Sequence, residues 1–213
     1  MHFLLRSTPP AGLHRYRHGR DTWGGQPIAP TPEERADIWV QLNAMQGGRC
    51  AYCEAPLSPD NRHIEHFRQR SRYPQGTFDW SNLFGSCKRT GTCGDHKDQC
   101  GPYDHTHILK PDVDEPDDYL VFVKDGTVQP RENLSPDMHH RATETIRILN
   151  LDLPLRQTRR NAVVGYIQTA EYIAALSEQF DQSEWRPLLE QEVKDTAHLP
   201  FATAIRHTLT RIS

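Results

Sequence analysis

Four of the five cysteines in this chain of 213 residues stand in two close pairs: Cys50-Ala-Tyr-Cys53 and, roughly thirty residues on, Cys87 and Cys93. In a reducing compartment, thiols this near in sequence more often bind metal than oxidise to disulfides. Two such pairs suit a tetrahedral four-thiolate zinc site, although the second pair is spaced wider than the usual C-x2-C knuckle. Zinc held by four sulfurs keeps no open position for water, so the site braces loops and activates nothing itself. Cys100 is left over, with no role assigned. The braced stretch, residues 49 to 105, is rich in Gly and Asn turn signals and poor in helical periodicity, which predicts short strands, loops and one short helix.

The flanks read differently. Residues 1 to 30 are rich in Pro, Gly and basic residues without period and read as an extended arm. Thr31, Pro32 and Glu34 then supply an N-cap, a first-turn proline and a capping box. Ile38, Leu42 and Met45 give an apolar stripe that stops at Gly47-Gly48, predicting a helix packed under the metal module. Residues 119 to 130 place apolar runs on either side of Asp125-Gly126, a hairpin signal. From Ser135-Pro136 a capped helix is expected to about Asn150. One long helix is expected from about Leu155 to Gln179, carried by Val163, Tyr166, Ile167, Ala170, Ile173 and Ala174, and then a third helix capped by Ser183. The reading is an α+β fold in three regions: arm and helix at 1–48, the zinc-braced module at 49–105, and a small hairpin followed by a helical body at 106–213.

Between the cysteine pairs lies His63-Ile-Glu65-His66-Phe, an acid beside an imidazole. Phosphodiester hydrolysis uses both: a hard divalent cation on a carboxylate stabilises charge on the phosphate, while a neutral histidine takes a proton from the attacking water. Neighbours on a strand point to opposite faces, so the pair can cooperate only where the backbone bends or ends. Further on come Asn82, in Trp80-Ser-Asn-Leu-Phe, and Cys93-Gly-Asp95-His96-Lys97. His63 could lie near the metal or only tune His66. His105 and His107 read as solvated, and Trp80 and Phe84 as core.

The order acid-His, Asn, His, framed by cysteines, resembles the HNH (ββα-metal, His-Me finger) nucleases. The resemblance implies a two-stranded ribbon carrying His66 as general base and Glu65 as metal ligand, a loop pinned by the Asn82 amide, and a short helix whose start delivers the last ligand. It also implies Lys97 as a phosphate contact and Mg2+ or Mn2+ as the catalytic ion. Many zinc-braced members place the last ligand directly after the final cysteine, where this chain has Gly94. His96 is therefore expected to serve instead, with Asp95 second in line. Cys-Ala-Tyr-Cys-Glu, Ile-Glu-His-Phe-Arg, Phe-Asp-Trp-Ser-Asn-Leu-Phe and Cys-Gly-Asp-His-Lys-Asp further resemble the HNH subunits of Septu-type anti-phage defence systems. That resemblance covers roughly residues 36 to 170. It implies an ATPase partner of the SMC- and ABC-like PtuA type, sometimes with a retron reverse transcriptase and its noncoding RNA.

With 25 Lys and Arg against 28 Asp and Glu, the net charge of -3 excludes a protein that coats nucleic acid by bulk electrostatics. Contacts must be local, and Arg62, Arg68, Arg70 and Arg72 crowd the stretch that carries His66. DNA is the expected substrate, held by its backbone. RNA cleavage with the same residues and a non-catalytic zinc-binding adaptor are the alternatives. Neither a membrane span nor a secretory signal is read, so the expected compartment is the cytoplasm.

Overall fold

The computed structural model describes residues 1–211. Helix α1 (Pro32–Gln46) begins on the capping box: Thr31 Oγ1 accepts from Glu34 N at 3.3 Å, and the Glu34 carboxylate accepts from Thr31 N at 3.0 Å. Gly47 ends it at φ 61, a left-handed backbone that glycine adopts without a Cβ clash. Strands β1 (Arg62–His66) and β2 (Leu83–Cys87) pair antiparallel, with Glu65 opposite Phe84 and His66 opposite Leu83. A wide loop joins them, and the short helix α2 (Cys93–Gln99) follows.

Helix α1 lies under this ββα unit and is stitched to it by one side chain. The buried Gln46 amide accepts from Gly85 N at 2.7 Å and donates to Gly85 O at 2.9 Å, so it satisfies both backbone groups of a mid-strand residue. A Cβ on residue 85 would press on Trp39 and on that amide, which accounts for glycine there.

Strands β3 (Leu120–Phe122) and β4 (Val128–Pro130) form the small hairpin, with Gly126 at φ 90 in its turn. Ser135 caps α3 (Pro136–Ile148) by accepting from Met138 N at 3.3 Å. The long helix expected next is broken into α4 (Leu153–Val163) and α5 (Ile167–Gln179) by a 3-10 turn at Val164–Tyr166. Two β-branched valines followed by Gly165 weaken helix propagation there, while the apolar spacing continues across the break. Helix α6 (Gln182–Thr196) starts after Asp181, so Ser183 sits inside its first turn rather than capping it. A last helix, α7 (Ala202–Thr210), follows Phe201, whose φ of 58 turns the chain back.

One continuous apolar core runs from Ile38 and Leu42 of α1 through Tyr52 and Phe84 to Ile148, Leu155 and Leu209, and α5 and α6 pack against it through partly buried residues such as Ala170, Leu189 and Val193. Two polar seams tie the cysteine loops to the helices. Cys93 N donates to Leu149 O at 2.7 Å, just beyond α3. The buried Glu54 carboxylate, directly after Cys53, accepts from Thr203 N of α7 at 2.9 Å. Among the described residues, no helix is long and apolar enough to cross a membrane.

Candidate metal cradle and adjoining cleft

Cys50, Cys53, Cys87 and Cys93 are buried, and their sulfurs all lie within 4.8 Å of one another. They are positioned to bind a metal ion. Cys53 Sγ and Cys87 Sγ are 3.8 Å apart, and two thiolates on a tetrahedral zinc at about 2.3 Å stand about 3.8 Å from each other. Electrostatics fit the same donor set. Burial resists ionisation of Cys50, but S–H donation from Cys53, Cys87 and Cys93 outweighs it and holds that thiol well below its usual range. Contact with Cys50 and Cys87 pushes Cys53 well up, and burial together with the other thiols does the same to Cys93. A divalent ion among the four sulfurs would compensate the charge of their ionised forms. Cys100 stands apart, half-buried, its thiol directed at Lys97 O.

Beside the cradle opens a cleft of about 410 Å³ whose lining includes His63, Glu65, His66, Arg70 and Trp23. His66 ends β1, and the chain leaves the ribbon there. This brings its ring to the same cleft as Glu65 despite the alternation of a strand. The ring is 7% exposed, and its Nε2 lies 2.9 Å from Thr77 O. A carbonyl only accepts, so Nε2 carries the proton and Nδ1 is the bare nitrogen. Burial lowers the pKa of His66 to about 4, with Arg70 and Lys97 adding to the shift and the Thr77 bond opposing it. The imidazole is neutral at physiological pH. Asn82, 3% exposed, holds the loop that carries Thr77: its Oδ1 accepts from Arg68 N at 2.7 Å, and its Nδ2 donates to Arg68 O and Gly76 O at 3.1 and 3.0 Å.

Glu65 is 2% exposed, with Oε2 3.1 Å from His63 Nε2 and Oε1 2.8 Å from Lys97 Nζ. Lys97 corrects the sequence reading. Its side chain is fully buried, with Nζ donating to Asp98 Oδ1 at 2.8 Å and His66 O at 3.0 Å and paired with Glu65, so the ammonium is turned inward and not presented to a phosphate. Burial alone would depress this ammonium, but Glu65, then Tyr103 and Asp98, hold its pKa above the usual lysine range.

Asp95 and His96 are not brought to the cleft either. Asp95 accepts from Gly91 N at 2.7 Å, and His96 Nδ1 lies 2.9 Å from Ile148 O, because α2 turns Gly94 rather than these residues toward Glu65. Of the four arginines, Arg70 lines the cleft. Arg62 lies over the Trp39 ring, Arg68 over Tyr73 and Arg72 over Tyr103, at 4.2, 4.8 and 5.8 Å.

Trp23, from the N-terminal arm, was not foreseen as a member of the site, and an aperiodic Pro/Gly segment offers no local signal for it. Its ring stands edge-on to His66 at 4.6 Å, under the Arg35 guanidinium, while Arg70 donates to its carbonyl at 3.4 Å. Since burial is the main cause of the low His66 pKa, Trp23→Ala is expected to raise it from about 4 toward 6.5. An NMR titration of the ring protons reads this directly, and an unchanged midpoint would show that the arm does not seal the site.

The chain is thus an α+β protein with a four-thiol metal cradle set beside a cleft lined by imidazole and carboxylate. It is similar to Septu protein PtuB of Bacillus thuringiensis, to which it is 30% identical over 107 residues. The match covers 49% of this chain and 36% of that protein, so it spans little more than a third of the relative's length. No family model matches the chain.

Proposed function

We propose that this chain is a cytoplasmic, metal-dependent endonuclease of the HNH type, an effector of anti-phage defence that cleaves DNA. One observation carries the reading: a buried, neutral His66, with Nδ1 bare, shares a cleft with the Glu65 carboxylate at the end of a ββα unit. The thiol cradle is read as a structural zinc site that fixes this unit. The defence role rests on the similarity to Septu protein PtuB. The partners, an SMC- and ABC-like ATPase and in some systems a retron reverse transcriptase with its noncoding RNA, rest on the resemblance described above.

Glu65 would hold the catalytic Mg2+ or Mn2+, which when bound neutralises charge on the phosphate and the leaving oxygen. His66 Nδ1 takes the proton of the attacking water, and the Nε2–H bond to Thr77 O steadies the imidazolium that forms. Asn82 keeps Thr77 in place by pinning the loop on both sides. Lys97, clamped between Glu65 and the His66 carbonyl, fixes the spacing of acid and base. Arg70 is the arginine placed to hold the scissile backbone at the cleft.

The test incubates zinc-replete protein, alone and with its ATPase partner, with end-labelled DNA and RNA pools in Mg2+, Mn2+ or EDTA. Metal-dependent DNA cleavage leaving 5'-phosphates is expected. Cleavage of RNA alone would reassign the substrate, and no cleavage of either with metal and partner present would make the chain a non-catalytic adaptor.

A further inference from the structure

We infer that His63, on the strand, supplies the imidazole ligand of the catalytic cation, in place of any residue from the start of α2. The inference rests on the reading of the cleft as a cation-dependent site and names the ligand set that reading left open.

Four observations carry it. First, His63 and Glu65 are two apart on β1 and therefore share a face. Their Nε2 and Oε2 atoms are 3.1 Å apart, and two donors at right angles on an octahedral ion at about 2.1 Å stand about 3.0 Å apart.

Second, the residue after the last cysteine is glycine for a spatial reason. A Cβ on Gly94 would strike the Glu65 carboxylate and come within 2.9 Å of His63 Nε2. The His63 ring occupies the space that a helix-borne side chain would need.

Third, the two other candidates on α2 are committed elsewhere, Asp95 to Gly91 N and His96 to Ile148 O.

Fourth, Glu65 is a buried carboxylate still short of partners: Oε1 meets Lys97 as an ion pair outside hydrogen-bond geometry. Oε2 faces His63, whose ring is 30% exposed at the cleft, so a hydrated ion can reach the pair from solvent. Inner-sphere donors from two residues of one strand leave the remaining positions to water and a phosphate oxygen, the arrangement a Mg2+- or Mn2+-type ion favours.

The rival is a plain hydrogen bond between His63 and Glu65 with no cation. The experiment titrates Mn2+ into the zinc-loaded full chain and follows it by electron paramagnetic resonance, including nitrogen modulation of the bound ion. Wild type is expected to bind Mn2+ with a histidine nitrogen in its inner sphere. His63→Ala should lose the nitrogen signal and at least tenfold in affinity, and His96→Ala should lose neither. Retention of the nitrogen signal in His63→Ala, its loss in His96→Ala, or no Mn2+ binding by wild type would overturn the assignment. The nuclease reading fails separately: a wild type that binds Mn2+ through His63 and cuts no nucleic acid sinks that reading alone, whereas cleavage with unaltered Mn2+ binding in His63→Ala sinks the ligand assignment alone.

Discussion

Withdrawing metal from the four-cysteine cradle, by a strong chelator or by Cys50→Ser, is expected to lower the melting temperature by more than about 10 °C. Binding of structural zinc to small domains contributes apparent free energies of about 10–16 kcal/mol. This chain has an apolar core beyond the cradle, so only part of such a sum falls on its stability. A loss of roughly 4 kcal/mol already amounts to about 10 °C for a chain of this size, at about 2–4 °C per kcal/mol. At Cys50 the substitution removes a prospective ligand and the sulfur that accepts from Cys87 N at 3.4 Å, a bond between the two cysteine pairs. The effect should shrink as pH falls, because protons compete with metal for the sulfurs and the bound ion then contributes less to stability. Differential scanning calorimetry with parallel metal analysis measures it, and an unchanged transition in metal-free protein would remove the cradle from the account of stability.

Replacing His66 by alanine is expected to reduce cleavage by about 10²–10⁴-fold, the usual contribution of a positioned general base. Zinc content should stay at the wild-type level, since the ring bonds to Thr77 O and the four thiols form the metal cradle without it, and that measurement separates lost chemistry from lost fold. The wild-type acid limb should lie well below the 6.5 of an ordinary histidine, because a base whose pKa is about 4 stays deprotonated into acid. The same shift sets a stability slope. Between pH 6.5 and about 4 the unfolded chain takes up a proton at His66 that the folded chain refuses, so its contribution is complete above 6.5 and is lost as pH falls through that window. His66→Ala should flatten that part of the stability profile. Cleavage within a factor of three of wild type would dismiss His66 as the base.

What the sequence disclosed, and what it withheld, follows from the range of the interactions involved. Helix α1 was legible because capping box, proline and terminal glycine are local, and the β3–β4 hairpin because its Asp-Gly turn is. The cysteine cluster was legible from spacing alone. The break between α4 and α5 was hidden because Gly165 interrupts the backbone but not the apolar period. Lys97 was misread because lysines are seldom buried, and only the fold reveals a carboxylate, Glu65, waiting for it. The orientation of Asp95 and His96 depends on the rotation of a seven-residue helix, which its sequence does not encode. Trp23 enters the site by a long-range contact that no periodicity announces.

Glu54 joins parts of the chain 149 residues apart: it follows the second cysteine directly, and its carboxylate grips the first turn of α7. Such a bolt makes the metal knuckle and the final helix one cooperative unit, so amide protons in α7 should exchange with solvent no faster than those of the knuckle itself. A force or a binding event applied at α7 is thereby felt at the loop that carries the first two cysteines.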